Sequence, residues 1–320
     1  MSFITFFNFD RDSTFALRMN RFRILSFFST ALLLFVYQPD AGSQSCHTRR
    51  RVSLPPQLQE VSGMTFQPDG SLWMLNDSQN PSELYRVNPL SGLVEEVRQL
   101  PAANRDWEDL TTDGSGRLFI GDFGNNQNKR RDLRILLFDP ASSSLDSILF
   151  GYPDQTDFPP ATERERNFDM EAFVFFNDSL HLFSKHRFRG DFVCKHYVLP
   201  ARPGSFTAQL VESRVIPDRV ITGAALNSDG SVLALTGYNV GIRWGFLPRT
   251  RASAMFFSSF SGSRFLGGEL SVKRLPKFLF ARQFESVVYA CNNTWLVANE
   301  GRKWQKQRLW RLKSPAHPKK

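Results

Sequence analysis

Five times along the chain, an apolar run with polar alternation enters a short turn and a second apolar run follows. The clearest case is Asp106 to Pro140, which reads as an acidic entry, a strand, a tight turn, a strand, a polar loop and a third strand. Stacked on one another, the five lines enter at Ser62, Glu108, Glu171, Thr222 and Glu285, spaced 46, 63, 51 and 63 residues apart. Their first turns are PDGS, DGSG, NDS, SDGS and NNT. Asn, Asp and Gly at such places tolerate the positive φ that hairpins require.

Multi-stranded repeats of this length predict an all-β protein with the architecture of a β-propeller. A further strand ending at proline precedes each line: SLP at 53–55, QLP at 99–101, GYP at 151–153, VIP at 215–217 and RLP at 274–276. These are the outermost strands. The last line runs out at Leu312, and Val52–Pro55 precedes every complete line. A five-bladed ring follows, in which the N-terminal strand completes the last blade and pairs both free edges. The alternative is a six-bladed ring, obtained by splitting the long fourth line, 222–284.

Charge modifies this picture little. Of the formal +9, residues 1–51 carry +4 and residues 313–320 carry +3, so the body is close to neutral. The basicity is terminal, no basic groove motif occurs, and nucleic acid is not an expected partner. At the N-terminus, Met19-Asn-Arg-Phe-Arg precedes an apolar run from Ile24 to Tyr37, and small residues follow. That is the layout of a secretory signal peptide, too short for a comfortable membrane span. Met19 is a candidate true start, since Asp10 and Asp12 lie upstream. The expected organisation is a signal peptide and leader over 1–45, a propeller over 46–313 and a basic tail over 314–320. The mature protein is expected to be exported, periplasmic or extracellular, monomeric and without a transmembrane span. An uncleaved anchor is the alternative. A lipoprotein is disfavoured because Gly42-Ser-Gln-Ser precedes Cys46.

Candidate chemistry comes from placing the lines in a ring. Each first strand starts, and each second strand returns, at the same mouth of the central channel. The entry residues therefore meet five return segments: 76–78, 121–126, 184–187, 236–239 and 299–302. Acids concentrate there: Asp77, Glu108, Asp109, Asp122, Glu171, Glu285 and Glu300. Like charges held close raise one another's pKa unless cations offset them. Lys185, His186, Arg130 and Arg302 are candidate offsets, and a hard cation such as Ca²⁺ on Asp77, Asp122 and Asn125 is another. The candidate ligand-binding set is Asp77, Glu108, Asp122, Asn125, Asn126, Glu171, Lys185, His186, Tyr238, Glu285 and Glu300. Glu108, Asp122 and Glu171 are the catalytic candidates within it, and His186 is the histidine considered for acid–base work. Equally, Glu60, Glu108, Glu171 and Glu285 can serve as brackets that accept backbone N–H groups from a neighbouring blade. Trp73 and Trp107 read as packing, and His181 as a structural strand residue. No Ser/His/Asp order, nucleophile elbow, P-loop or HExxH occurs, so nucleophilic catalysis finds no support.

The series EVSGM (60–64), LNDS (75–78), NRDWEDL (104–110), LFIGDFGNN (118–126), DMEAF (169–173), SK (184–185) and FESV (284–287) resembles a family of exported bacterial β-propeller proteins. Its members carry ESSGL, HNDSG, DWEDIA, GDIGDN, EAL and TK at corresponding places, and the resemblance spans roughly 52–312. It implies the propeller, export and a shared site face, and supplies no reaction. Asn125 stands where the family has Asp, Leu75 and Gln79 replace the residues flanking NDS, and Thr222 replaces an acid.

Three functions are compatible with these readings: binding of a small polar or glycan-like ligand at the acidic mouth, with or without a divalent cation; hydrolysis of phosphoesters or glycosides by paired carboxylates or a cation; and a protein-interaction platform. One covalent feature is directly testable. Cys291 falls at the first hairpin of the last blade, and Cys46 lies just before the closing strand. A bond between them would latch the ring, contributing up to a few kcal/mol. Otherwise Cys46 is free or modified and Cys291 is a small buried residue. The latch predicts a linked Cys46–Cys291 peptide in mass spectrometry without reductant, and two separate peptides would exclude it.

Overall fold

The alternating runs become strands in five separate sheets, antiparallel but for one added strand. The structure, a computed structural model, describes residues 49–314 apart from 189–191, 218, 244–246, 277–281 and 304. Cys46, the expected signal peptide and most of the basic tail lie outside the described residues. Within them, Cys194 is a free, buried thiol.

From the channel outward, the first blade is Val61–Phe66, Leu72–Asn76, Glu83–Val87 and Val94–Gln99. The second is Trp107–Thr112, Leu118–Asp122, Arg134–Asp139 and Ser144–Gly151. The third is Met170–Phe176, Ser179–Ser184, Val193–Pro200 and Gln209–Val215. The fourth is Val220–Leu226, Val232–Arg243, Leu247–Ser258 and Glu269–Arg274. The fifth is Phe284–Cys291, Thr294–Asn299 and Arg308–Lys313, with Arg51–Ser53 as its outermost strand. This is a five-bladed β-propeller closed by its N-terminal strand, through Arg51↔Trp310, Val52↔Leu309 and Ser53↔Arg308. Gln307 fastens the closure beyond the ladder, since its carbonyl accepts from the Leu54 N–H and its side-chain amide donates to Pro55 O.

The six-bladed alternative fails for a local reason. The fourth line is long because its second and third strands are twelve residues each, not because it holds two blades. Thr236–Asn239, expected as a return loop, consequently lies inside a strand. The second blade also gains an unexpected member: Gly204–Thr207 returns from the third line and pairs in parallel with Ser144–Gly151. At two inner hairpins the turn residues Asn177-Asp178 and Asn292-Asn293 all have positive φ, as two-residue hairpin turns demand.

Apolar side chains fill the seams between neighbouring blades. Trp73, Trp107 and Ile120 pack between the first and second blades, and Phe123, Phe173 and Tyr197 between the second and third. Phe183, Met255 and Phe265 occupy the next seam, and Phe256, Phe284 and Trp295 the one after it. Val52 and Leu54 of the closing strand join Met64 and Leu296 in the last. Both tryptophans read as packing residues are core.

Polar brackets tie the innermost strands together. Ser62 Oγ donates to Trp107 O at 3.2 Å, and Thr222 Oγ1 donates to Phe284 O at 2.7 Å. Asp109, fully buried, accepts from the Phe173 N–H at 3.1 Å and from the Leu110 N–H at 2.8 Å. The bracketing considered for Glu108, Glu171 and Glu285 is thus carried by two hydroxyls and by Asp109. Glycine follows each hydroxyl because the strands nearly touch there. A Cβ on Gly63 would lie 2.6 Å from Leu110 N, and one on Gly223 would lie 2.8 Å from Glu285 O.

Overpacking at such a seam costs roughly 1–3 kcal/mol. Gly223→Ala is therefore expected to lower the urea midpoint clearly. Gly151→Ala, where a Cβ meets nothing within 4 Å, should stay within about 0.5 kcal/mol of wild type. Equal denaturation curves for the two variants would contradict this seam.

Candidate functional site

Every blade carries the same irregularity at the same place. In the first, Val61 pairs with Asn76 and Gly63 with Leu75, leaving Ser62 without a partner. The second leaves out Glu108, between Trp107↔Asp122 and Asp109↔Gly121. Glu171, Thr222 and Glu285 are left out in the third, fourth and fifth. These are five β-bulges at the entry of the innermost strand. A bulge bends its strand and re-aims the extra side chain. All five bulged residues line one chamber of about 170 Å³ at that end of the channel.

The residues that follow the second strands complete the wall. Asp77, Lys185 and Glu300 come directly after strand ends, and Tyr238 occupies the corresponding register in the fourth blade. In the second blade that position is Gly124, where a Cβ would fall on Glu108 Oε1 and the Asp106 carboxyl. Its absent side chain leaves room for those two acids, and Asn126 reaches the chamber instead. The backbone repeats this junction: Asp77 N–H donates to Glu60 O, Gly124 N–H to Asp106 O, Lys185 N–H to Asp169 O and Glu300 N–H to Gln283 O.

The chamber is acidic. Five carboxylates line it, those of Asp77, Glu108, Glu171, Glu285 and Glu300, against the cations of Lys185 and Arg187. The cations are concentrated on one side. Lys185 Nζ lies 2.6 Å from Glu171 Oε2, and Arg187 Nη2 lies 3.1 Å from Glu171 Oε1 and 3.0 Å from Asp169 Oδ2. Gln283 donates to Glu285 at 2.9 Å and to the Tyr238 hydroxyl at 3.0 Å. Glu108 is 5% exposed and makes no hydrogen bond or ion pair among the described residues.

Burial is the main reason these acids resist ionisation, and neighbouring charges add to it. It pushes Asp77 and Asp169 up to about 6, with Asp106 and Glu171 as the respective leading acidic neighbours. Burial, then Glu285, raises Glu300 to about 8. Burial, then Glu171 and Asp77, holds Glu108 well above the usual carboxylate range. At Glu171, burial raises the carboxyl while Lys185 and Arg187 oppose it, and Lys185 is held charged by the same pairing.

Eight expected site residues line the chamber: Asp77, Glu108, Asn126, Glu171, Lys185, Tyr238, Glu285 and Glu300. Asp122, Asn125 and His186 do not. Asp122 is fully buried beneath the chamber, paired with Arg134 at 2.7 Å and Arg130 at 3.2 Å, and accepts from the Asp106 N–H. Asn125 joins blades, its N–H donating to Asp169, its amide to Phe168 O, and its Oδ1 accepting from Arg130 N–H. The His186 ring accepts from Val193 N–H through Nδ1 and so donates to Arg164 O through Nε2. Both nitrogens are engaged, which removes His186 from acid–base work. The oxygen set that comes together is Asp77, Asp106 and Glu108, with ligand atoms within 4.8 Å of one another, in place of Asp77, Asp122 and Asn125.

Asp106, Asp169, Arg187 and Gln283 were absent from the expected set. Three of them stand two residues before a bulge, in Asp106-x-Glu108, Asp169-x-Glu171 and Gln283-x-Glu285. Glu60-x-Ser62 shows the same spacing and was the available signal.

No protein family and no curated protein matches the chain. Among solved structures, it is similar to Kuenenia stuttgartiensis hydrazine synthase, with 12% identity over 75% of this chain and 73% of that one and a TM-score of 0.39. It is also similar to the β-propeller domain of Myceliophteria thermophila Cps50 (Swd1), with 11% identity over 78% and 83% and a TM-score of 0.38. A third is Penicillium chrysogenum α-L-arabinanase complexed with arabinobiose, with 8% identity over 83% and 98% and a TM-score of 0.48. No helix among the described residues is long and apolar enough to cross a membrane.

The raised Glu300 carboxyl sets a pH-dependent prediction. A group whose folded pKa exceeds its unfolded value favours folding fully below the unfolded value, and this is lost as pH rises through the folded value. Glu300→Gln should therefore match wild-type stability near pH 4 and exceed it near pH 9, with the gap opening between about 4.5 and about 8. The gap is on the order of 1–3 kcal/mol once partial solvation is allowed for. Denaturant titrations across that range check it, and a pH-independent difference would contradict it.

Proposed function

We propose that this propeller binds a small polar ligand in the chamber formed by its five bulges. The supporting observation is that the one backbone irregularity common to all blades aims Ser62, Glu108, Glu171, Thr222 and Glu285 into a single space. Five separate folding defects would not need to converge. The lining is polar throughout, which favours a small hydrophilic molecule over an apolar protein partner. Export belongs to the same reading and rests on the N-terminal sequence and on the family resemblance. A hard divalent cation such as Ca²⁺ would be held by Asp77, Asp106 and Glu108, whose oxygens suit it. The role of this chain's residues would then be to supply those oxygens and to exclude bulk water.

A second reading is a hydrolase. Burial pushes the Glu108 carboxyl well above the usual range, whereas at Glu171 Lys185 and Arg187 oppose the same push. Two carboxyls in such unlike surroundings are the arrangement that acid and base catalysts use. Glu108 would donate a proton to a leaving group, and Glu171 would take one from water.

Isothermal titration against sugars, cell-wall fragments and calcium tests the binding reading. One-to-one binding is expected, weakened about 10- to 100-fold in Glu285→Gln, as loss of a charged hydrogen bond implies. Asp139→Asn, at an exposed turn, should bind as wild type. Absence of binding to every ligand, or equal binding by Glu285→Gln, would sink the reading. Turnover of chromogenic glycosides or phosphoesters, lost in Glu108→Gln with circular dichroism unchanged, would instead establish the hydrolase.

A further inference from the structure

A second cavity of about 210 Å³ adjoins the acidic chamber, and Asn126, Lys185 and Arg187 line both. Charge is distributed differently in the second space. Arg166, Lys185 and Arg187 face it, against Glu163 and Asp169. Arg187 stands between the two: its Nη2 holds Glu171 on the chamber wall and Asp169 on the flank, and its side chain is half exposed. Arg166 commits its Nε to Pro160 O at 3.2 Å, and its guanidinium enters no ion pair among the described residues. A planar guanidinium of this kind is suited to two-point recognition of a carboxylate or phosphate.

The chamber end asks for the opposite charge. Glu108 is buried, lines the chamber and has no hydrogen-bond or ion-pair partner among the described residues, and Asp77, Asp106 and Glu171 face it together with Lys185. A cationic group placed there would meet carboxylates that currently repel one another. The chamber volume corresponds to about five or six waters at roughly 30 Å³ each, which is room for a short amine-bearing arm.

We infer that the ligand is a small amphoteric molecule, its amine seated among Asp77, Glu108 and Glu285 and its carboxylate or phosphate held by Arg166 and Arg187. This rests on the ligand-binding reading and names the ligand class. A neutral sugar would hydrogen-bond the carboxyls but leave their charge and the basic flank unmatched, and a bare metal ion would leave the basic flank unused.

The test is isothermal titration with 4-aminobutyrate and O-phosphoethanolamine as amphoteric probes, and with ethylamine, phosphate, calcium chloride and glucose as single-feature probes. At least one amphoteric probe should bind tenfold or more tightly than ethylamine and phosphate. Arg166→Ala should reduce its affinity to the ethylamine level, and Glu108→Gln should weaken the amphoteric probe and ethylamine alike. Ethylamine binding as tightly as both amphoteric probes, or Arg166→Ala without effect, would overturn the inference. So would glucose or calcium binding where neither amphoteric probe does, although the ligand-binding reading would then stand. No heat with any probe would sink both. Should Glu108→Gln fail to fold, the partly exposed Arg166 carries the test alone.

Discussion

One extra residue at the entry of each innermost strand is the constraint on which the site depends. A β-strand alternates its side chains between two faces. In a propeller those faces pack against neighbouring blades, so an unbroken ladder would send Glu108, Glu171 and Glu285 into apolar seams. The bulge releases them from that alternation and turns them toward the axis. Without it, Trp107 and Asp109 could not both be core residues on either side of a channel-facing Glu108.

The ring around that constraint is tuned for close approach. Where a bulged hydroxyl brackets the next blade, glycine follows and brings the backbones together. In the second blade the bracket moves one residue along, to Asp109, whose oxygens accept backbone N–H groups. That move leaves Glu108 with no structural duty. The same division recurs below it, where Asp122 holds two arginines and the Asp106 N–H. Adjacent acids in the DWED and GDF segments thus divide into those that build the wall and those that face the space within it.

That division could not be taken from residue type. Asp122 and Asp77 both follow apolar runs and precede turns, yet Asp122 is sealed by Arg130 and Arg134 while Asp77 faces the chamber. His186 occupies a return segment, as expected, but its ring is spent on the backbone of Arg164 and Val193. Conversely, Asp106 and Asp169 reach the site because their carbonyls pair with the returning strand, a register visible only once two strands are laid together. Eight of the expected residues did reach the chamber, because entry and return positions converge by topology whatever the details of register.

The repeat itself, the turn residues and the proline-ended outer strands are local patterns. Hydrophobic alternation and backbone propensity write them directly into the chain, and they point to five blades, with six as the alternative, and to closure by Val52–Pro55, which the ring makes through Arg51–Ser53. The length of the fourth blade's hairpin, the extra parallel strand Gly204–Thr207 and the aim of each acid were decided only by the assembled ring. The physical reason is that a bulge, a bracket and an ion pair each depend on which strand lies alongside, and that neighbour lies 45 to 64 residues away in the seams bridged by Ser62, Thr222 and Asp109.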